Sequence, residues 1–133
     1  MLGGMLVFAL SAARLAHASQ RNAVIARNVA HADTPGFKAQ EVAAFDFGHM
    51  VADPAAQPTA TRPGHAVGRS PLARPEVAVS DASATDESPN GNTVSLEEQM
   101  VLAAETRGNF ELAATLYAKH LSLLRTAIGR DGR

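Results

Sequence analysis

Residues 96–128 read LEEQMVLAAETRGNFELAATLYAKHLSLLRTAI, and this stretch decides the fold because its apolar residues recur at a seven-residue spacing. Two adjacent rows result, and nine of their ten positions are apolar. The rows are Leu96, Ala103, Phe110, Tyr117 and Leu124, and Met100, Arg107, Ala114, Leu121 and Ile128. This spacing is typical of a helix that packs lengthwise against another helix. We therefore predict one long C-terminal helix of about 50 Å.

Both ends of this helix are marked in the sequence. Ser95 and Glu98 have the spacing of a capping box, in which the hydroxyl and the carboxylate each satisfy a backbone amide of the first turn. Gly129 follows the last apolar position, where glycine commonly ends a helix. Arg107 is the single charge in the two rows. Its side chain either lays its stem along the apolar surface and reaches water, or pairs with an acid of a neighbouring subunit.

A second helix is predicted near the N terminus. Its two rows are Phe8, Leu15, Asn22 and Val29, and Ser11, Ala18, Ile25 and Ala32. Small residues are frequent in these rows, which suits a close approach of two helices. Asn22 lies either at the solvent edge of the stripe or inside it as an amide that fixes the register. The helix ends at Thr34-Pro35-Gly36-Phe37, because Pro-Gly suits the centre of a type II turn and the residue before proline avoids the helical region.

The segment between the helices contains few residues that could form a core. Phe37, Ala39, Ala43, Phe45 and Phe47 share one parity, which predicts a short strand or an extended arm. Residues 49–90 contain six of the seven prolines, so we expect a loop there that is mobile or is ordered by a partner. The predicted segments are an N-terminal helix with its turn at 1–36, an arm at 37–48, a flexible loop at 49–92 and a C-terminal helix at 93–133.

These elements predict a mainly α protein with an irregular or partly β, proline-rich middle segment. The two terminal helices would pair as an antiparallel coiled-coil hairpin, with both termini at one end. Neither helix has a core of its own, so its apolar stripe must be buried against the other helix or against another subunit. The pattern therefore favours an assembly protein.

Several functions are not supported by the composition. A formal net charge of -1 indicates neither nucleic-acid binding nor binding to an anionic membrane. The chain has no cysteine, and its five histidines share no metal-ligand spacing. It also lacks the sequence motifs of nucleophilic hydrolases and of phosphate-binding loops. We expect no enzyme activity, no cofactor, no metal site and no small-molecule substrate.

The N terminus matches part of the pattern of a secretory signal. An apolar run at 5–10 is followed by Ala16-His17-Ala18, which fits an A-x-A cleavage site. The run is short, however, and no basic residue precedes it, so we expect no cleavage. The alternative is a Sec-secreted periplasmic helical-hairpin binding protein that begins at Ser19.

A motif at the end of the first helix connects the chain to a known family. Residues 27–38 read RNVAHADTPGFK and follow QRNAVIA at 20–26. They resemble the N-terminal signature of the flagellar rod and hook family, a helix that ends in Asn-hydrophobic-Ala-x-Ala-x-Thr-Pro-Gly-aromatic. The runs GNTVSLEEQM at 91–100 and LRTAI at 124–128 are similar to one proximal rod member of that family. Its sister proximal rod protein is the alternative.

The resemblance implies a structural subunit of the hollow rod that crosses the periplasm, transmits torque and passes exported subunits. It implies synthesis in the cytoplasm and export by the flagellar type III apparatus without a cleaved signal peptide. The implied partners are further copies of the chain, other rod subunits, the adaptor between rod and membrane ring, and the export apparatus. The residues expected to pack in this assembly are Phe8, Leu15, Ile25, Val29, Thr34, Pro35, Gly36, Phe37, Leu96, Met100, Phe110, Tyr117, Leu121, Leu124 and Ile128.

Overall fold

Two long helices dominate the computed structural model, which describes residues 2–46, 48, 78–83 and 86–129. Helix α1 spans Leu2–Ala30 and helix α2 spans Leu96–Gly129. Two short strands, β1 at Gln40–Val42 and β2 at Val79–Asp81, form an antiparallel sheet. The prediction of a mainly α protein with two long terminal helices that pack together is confirmed.

The two helices run antiparallel. The rings of Phe8 and Tyr117 lie 4.2 Å apart, and the side chains of Asn28 and Gln99 are joined by a hydrogen bond of 3.0 Å. Residue numbers therefore rise along α1 as they fall along α2. We call the end at Asn28 and Gln99 the closed end, because the connecting segments lie there, and the opposite end the open end. The coiled-coil geometry of the pair stays a prediction.

Ser95 begins α2 as its N-cap. Its hydroxyl accepts a hydrogen bond from the backbone N–H of Glu98 at 3.3 Å, and its carbonyl accepts one from Gln99 at 3.0 Å. The same hydroxyl donates to the carboxylate of Glu97 at 3.2 Å. The predicted hydrogen bond between the Ser95 hydroxyl and the first turn of the helix is thus confirmed. The carboxylate that Ser95 contacts is that of Glu97 rather than that of Glu98. Two acids in the first turn also lie favourably near the positive end of the helix dipole.

The predicted turn after α1 is confirmed. Phe37 N–H donates to Thr34 O at 3.3 Å, which closes a turn with Pro35 and Gly36 at its centre. Gly36 has φ +72°, the left-handed conformation that the third position of a type II turn requires. A residue with a Cβ would be strained there. This turn directs the chain back towards β1.

Strand β2 lies inside the segment predicted to be a loop, and this is a difference from the sequence analysis. All three of its residues are exposed, so it contributes no apolar pattern that a sequence reading could detect. Backbone hydrogen bonds hold it, among them Ala43 N–H to Ala78 O at 3.0 Å and Ala82 N–H to Ala39 O at 2.8 Å. Most of the predicted loop, residues 49–77 and 84–85, lies outside the described residues.

The face that α2 turns towards α1 contains a row that the apolar spacing does not reveal. Its buried residues are Gln99, Thr106 and Ala113, a row next to the two predicted apolar rows. Small side chains on both helices, such as Ser11 and Ala18 of α1, allow the two backbones to approach closely. Hydrophobicity alone therefore did not reveal this row, although Tyr117 of the predicted rows also meets Phe8 of α1. Most of the larger apolar residues of α2 are exposed, among them Met100, Leu123 and Ile128.

Candidate assembly site

Asn28 joins three elements at the closed end. Its side chain is 1% exposed, and its amide nitrogen donates to Gln40 O at 2.8 Å and to Gln99 Oε1 at 3.0 Å. Its oxygen accepts from Gln40 N–H at 3.0 Å. Along one edge, β1 is hydrogen-bonded to β2. On the other edge, the Asn28 amide binds the backbone N–H and C=O of Gln40, which a neighbouring strand would bind in a larger sheet. One side chain thus fixes β1 and α2 relative to α1.

Asn92 performs a similar role for the end of α1. It is 2% exposed, and its amide nitrogen donates to His31 O at 2.9 Å and to Thr34 O at 2.8 Å. Its oxygen accepts from Val94 N–H at 2.8 Å. The last carbonyls of a helix have no partner within the helix. Asn92 therefore satisfies carbonyls just beyond the last turn of α1 from a position immediately before α2.

Further bonds connect the turn after α1 to the segment before α2. Gly36 N–H donates to Asn90 O at 2.9 Å, and Thr93 N–H donates to Phe37 O at 3.1 Å. The Thr93 hydroxyl accepts from Ala39 N–H at 2.9 Å. We call these contacts between residues 34–39 and 90–93, together with the Asn92 bonds, the turn clamp. It holds the Thr-Pro-Gly turn at a fixed position on the closed end of the hairpin.

The chain after β1 lies against α1. The buried His17 donates from Nε2 to Ala43 O at 2.7 Å, and its ring meets the ring of Phe45 edge-on at 5.4 Å. The guanidinium of Arg14 lies 5.8 Å from the centre of the Phe45 ring, which gives a weak cation–π contact. A cavity of about 300 Å³ opens beside these residues, between α1, α2 and the arm. Its charged lining includes Arg21 and Glu105, which form an ion pair at 3.6 Å.

The predicted packing residues fall into three groups by burial. Ile25 is buried. The partly buried residues are Phe8, Leu15, Phe37, Tyr117 and Leu121. The exposed residues are Val29, Thr34, Pro35, Gly36, Leu96, Met100, Phe110, Leu124 and Ile128. The structure brings Phe8 and Tyr117 together across the helices, and their role in assembly, like that of the others, stays a prediction.

Two polar residues of the predicted stripes are on the surface. Asn22 is exposed, as expected for the solvent edge of the stripe. The side chain of Arg107 is 82% exposed and donates from Nε to Glu111 at 2.9 Å, one turn further along α2. This hydrogen bond and the charge of Glu111 raise the pKa of Arg107 above its usual value. Arg107 thus pairs within its own helix, an arrangement that the sequence analysis did not consider.

Sequence reasoning missed the buried amides. Asn28, Asn92 and Gln99 are polar, and a reading based on apolar periodicity assigns such residues to the surface. Their partners are also distant in the chain, since 71 residues separate Asn28 from Gln99. A weak signal exists, because Asn28 lies within the Thr-Pro-Gly signature and Asn92 within the run that precedes α2.

Among the described residues, no group of three or more His, Cys, Asp or Glu side chains is placed to hold a metal ion. Neither helix of the described chain combines the length and the apolar character needed to cross a bilayer.

The family of the chain follows from comparison with known proteins. No protein-family model matches it. The chain is similar to the flagellar basal body rod protein FlgB of Agrobacterium fabrum, with 31% identity over 124 residues. The similar region covers 90% of this chain and 91% of that protein. Because the similarity extends over nearly the whole of both proteins, this chain belongs to the family of the flagellar basal body rod protein FlgB.

Proposed function

We propose that this chain is a structural subunit of the proximal rod of the bacterial flagellar basal body. It polymerises into the hollow periplasmic shaft that transmits torque and passes exported subunits. It is a structural protein rather than an enzyme, as is its relative. The observation that carries this proposal is the similarity to a rod protein over 90% of the chain.

The surface of the hairpin supports a role in assembly. Large apolar side chains of α2 are exposed, among them Met100 at 72%, Leu123 at 58% and Ile128 at 76%. Soluble monomers rarely expose extended apolar patches of this kind. Contacts with further subunits would remove these side chains from water. The hairpin is therefore suited to be one unit of a larger structure.

The proposed partners are other rod subunits, the adaptor to the membrane ring and the type III export apparatus. We infer export from the cytoplasm without a cleaved signal peptide. The physical support is that Ser11, Ala13, His17 and Ala18 belong to the buried face of α1, so cleavage before Ser19 would remove them from the hairpin. Mass spectrometry of the N terminus in isolated basal bodies tests this point. A chain that begins at Ser19 and occurs only in the soluble periplasm would contradict it.

Motility tests the proposed function itself. We expect Leu121→Asp to abolish swimming when the variant is the sole copy, because burying an unpaired carboxylate in a subunit contact costs several kcal/mol. Phe110→Asp should act in the same way. Ser122→Asp is the matched control, since this neighbouring residue is exposed and polar. Swimming is scored in soft agar, with protein level by immunoblot and helix content by circular dichroism. Normal swimming of the Leu121→Asp cells would refute a packing role of this face in the rod.

A further inference from the structure

A tight turn at residues 88–92 leads the chain into α2. Gly91 N–H donates to Ser88 O at 2.8 Å, and Ser88 N–H donates to Asn92 O at 2.9 Å. Gly91 has φ +80°, the left-handed conformation that follows the turn in a loop of this kind. A Cβ on residue 91 would also lie 3.5 Å from Gly36 Cα. The backbone therefore favours glycine at position 91.

The residue before this glycine is an asparagine, and this pair is chemically labile. The side-chain carbonyl carbon of an asparagine can close a ring with the backbone nitrogen of the next residue. Glycine leaves that nitrogen accessible because it has no side chain to crowd it. Of the five asparagines in the chain, Asn90 is the one that a glycine follows. Asn90 is also exposed to water.

The reaction of such a pair is deamidation, which proceeds without an enzyme and without an oxidant. The Gly91 nitrogen loses its proton to solvent and attacks Cγ of Asn90, and the bond from Cγ to Nδ2 breaks as ammonia leaves. Water then opens the cyclic imide. Opening at Cγ gives aspartate, and opening at the main-chain carbonyl gives iso-aspartate, whose backbone runs through the former side chain. In total, water is consumed and ammonia is released.

In the folded hairpin, hydrogen bonds hold the groups that take part in this reaction. The nucleophile, the N–H of Gly91, is bonded to Ser88 O. The carbonyl of the same peptide unit, Asn90 O, accepts from Gly36 N–H at 2.9 Å. The side-chain oxygen of Asn90 accepts from Asn92 N–H at 3.1 Å. The peptide unit is thus fixed at both ends, and the attack needs a free nitrogen, so these bonds must break first.

The bond from Gly36 connects this protection to the turn clamp. Asn92 is 2% exposed, and its amide reaches His31 O and Thr34 O at the end of α1. These bonds and the Gly36 bond join the same two segments, so they break together when the end of α1 leaves the start of α2. The rate of a reaction that needs such an opening follows the fraction of molecules that are open.

The two products differ in whether the clamp can close again. Aspartate keeps an oxygen at the position of Asn90 Oδ1, so the bond from Asn92 N–H can form as before. Iso-aspartate adds a carbon atom to the backbone before Gly91 and displaces the carbonyl to which Gly36 N–H donates. The bonds of the turn cannot then all form at their present distances. The iso-aspartyl chain therefore loses part of the contact that joins α1 to α2.

We propose that Asn90 is a spontaneous modification site that the turn clamp protects. Deamidation occurs in chains whose clamp is open, and the iso-aspartyl product hinders the clamp from closing. Chains that stay unfolded for long are thus marked irreversibly, whereas the closed hairpin stays unmodified. This inference goes beyond the proposed function and does not depend on it.

Peptide mapping by mass spectrometry tests the protection. The full chain is incubated at mildly alkaline pH in native buffer and, in parallel, in guanidinium chloride. The mass gain of an amide converted to an acid is then assigned to residue 90 by fragmentation. We expect deamidation of Asn90 to be about tenfold or more slower in native buffer, since it needs the clamp to open. Equal rates under the two conditions would overturn the proposal.

Asn92→Ala tests the role of the clamp. It removes the bonds to His31 O and Thr34 O but keeps the backbone N–H that binds Asn90 Oδ1. We expect Asn90 to deamidate several-fold faster than in the wild-type chain in native buffer, and at the wild-type rate in guanidinium chloride. Asn22→Ala, at an exposed asparagine of α1, is the matched control and should change neither rate. A wild-type rate for Asn92→Ala in native buffer would contradict protection by the clamp.

Refolding of modified chains tests the effect of the product. The chain is deamidated in guanidinium chloride and returned to native buffer, and the iso-aspartyl form is separated by ion exchange. Its unfolding midpoint, followed by circular dichroism, should lie below that of Asn90→Asp, which has the same charge on a normal backbone. Equal midpoints would refute the proposed effect of iso-aspartate on the clamp.

Discussion

At the scale of single residues, the hairpin depends on side-chain amides more than on large apolar groups. Asn28 is buried with its oxygen and its amide nitrogen both hydrogen-bonded, and these bonds reach a strand and the other helix. A buried polar group that loses its partner costs about 1–3 kcal/mol. Such a residue fixes a specific arrangement, because a shift of either helix along the other would break its bonds.

Asn28→Ala should therefore destabilise the hairpin by about 2–4 kcal/mol, since it leaves the backbone of Gln40 and the side chain of Gln99 without partners. The matched control is Asn22→Ala, an exposed asparagine on the same helix, for which we expect a change within about 0.5 kcal/mol. Chemical unfolding followed by circular dichroism measures both. Equal midpoints for the two variants would show that the buried amide has no special role.

At the scale of elements, local signals predicted the helices and the turn well. The C-terminal helix was predicted at 96–128 and spans Leu96–Gly129, because the serine cap and the apolar spacing are contained within the helix itself. The Thr-Pro-Gly turn was predictable because its geometry depends on two residues of restricted or unusual conformation. Strand β2 was not, since its three residues are exposed and held by backbone bonds to a distant segment.

The contact face of α2 could not be predicted from hydrophobicity. Apolar rows indicate that a face is buried in the functional state, but they do not identify the partner that buries it. In the hairpin, Thr106 and Gln99 face α1 while Leu112 and Leu123 are exposed. A sequence that encodes contacts both within one chain and between chains contains the two patterns superimposed.

Two glycines in different elements should respond in opposite directions to alanine. Gly36 has φ +72° and open space where a Cβ would lie, so Gly36→Ala should cost about 1–2 kcal/mol through backbone strain alone. Gly108 lies within α2 and has equally open surroundings, so Gly108→Ala should stabilise the hairpin by about 1 kcal/mol through helix propensity. Thermal unfolding followed by circular dichroism compares them. A shift of both melting temperatures in one direction would contradict this account.

At the scale of the whole molecule, the two ends of the hairpin differ in how they are held. The closed end has the turn clamp, the Asn28 bonds and the small sheet. Towards the open end, Leu123, Leu124 and Ile128 are exposed. Segments with few buried contacts open at lower free energy than the rest of a protein.

Hydrogen exchange of the isolated chain should therefore be graded along the helices. We expect the slowest backbone amides at 24–30 and 99–106 and the fastest helical amides at 118–128. Exchange is measured by mass spectrometry after brief labelling. Peptides from the two ends of α2 are then compared within one molecule. Uniform protection along α2 would contradict a hairpin that is anchored at one end. In assembled basal bodies, contacts with further subunits should reduce the difference.

The position of the turn clamp also determines how the hairpin responds to force. A pull that separates the two helices at the open end acts first on the ring contact of Phe8 and Tyr117, and the helices then separate turn by turn. A pull along the helix axes instead strains the bonds of Asn28 and Asn92 together, because both residues lie at the closed end. The hairpin is thus weak against peeling and strong against shear, so a load directed along the helices is the one that its hydrogen bonds resist together.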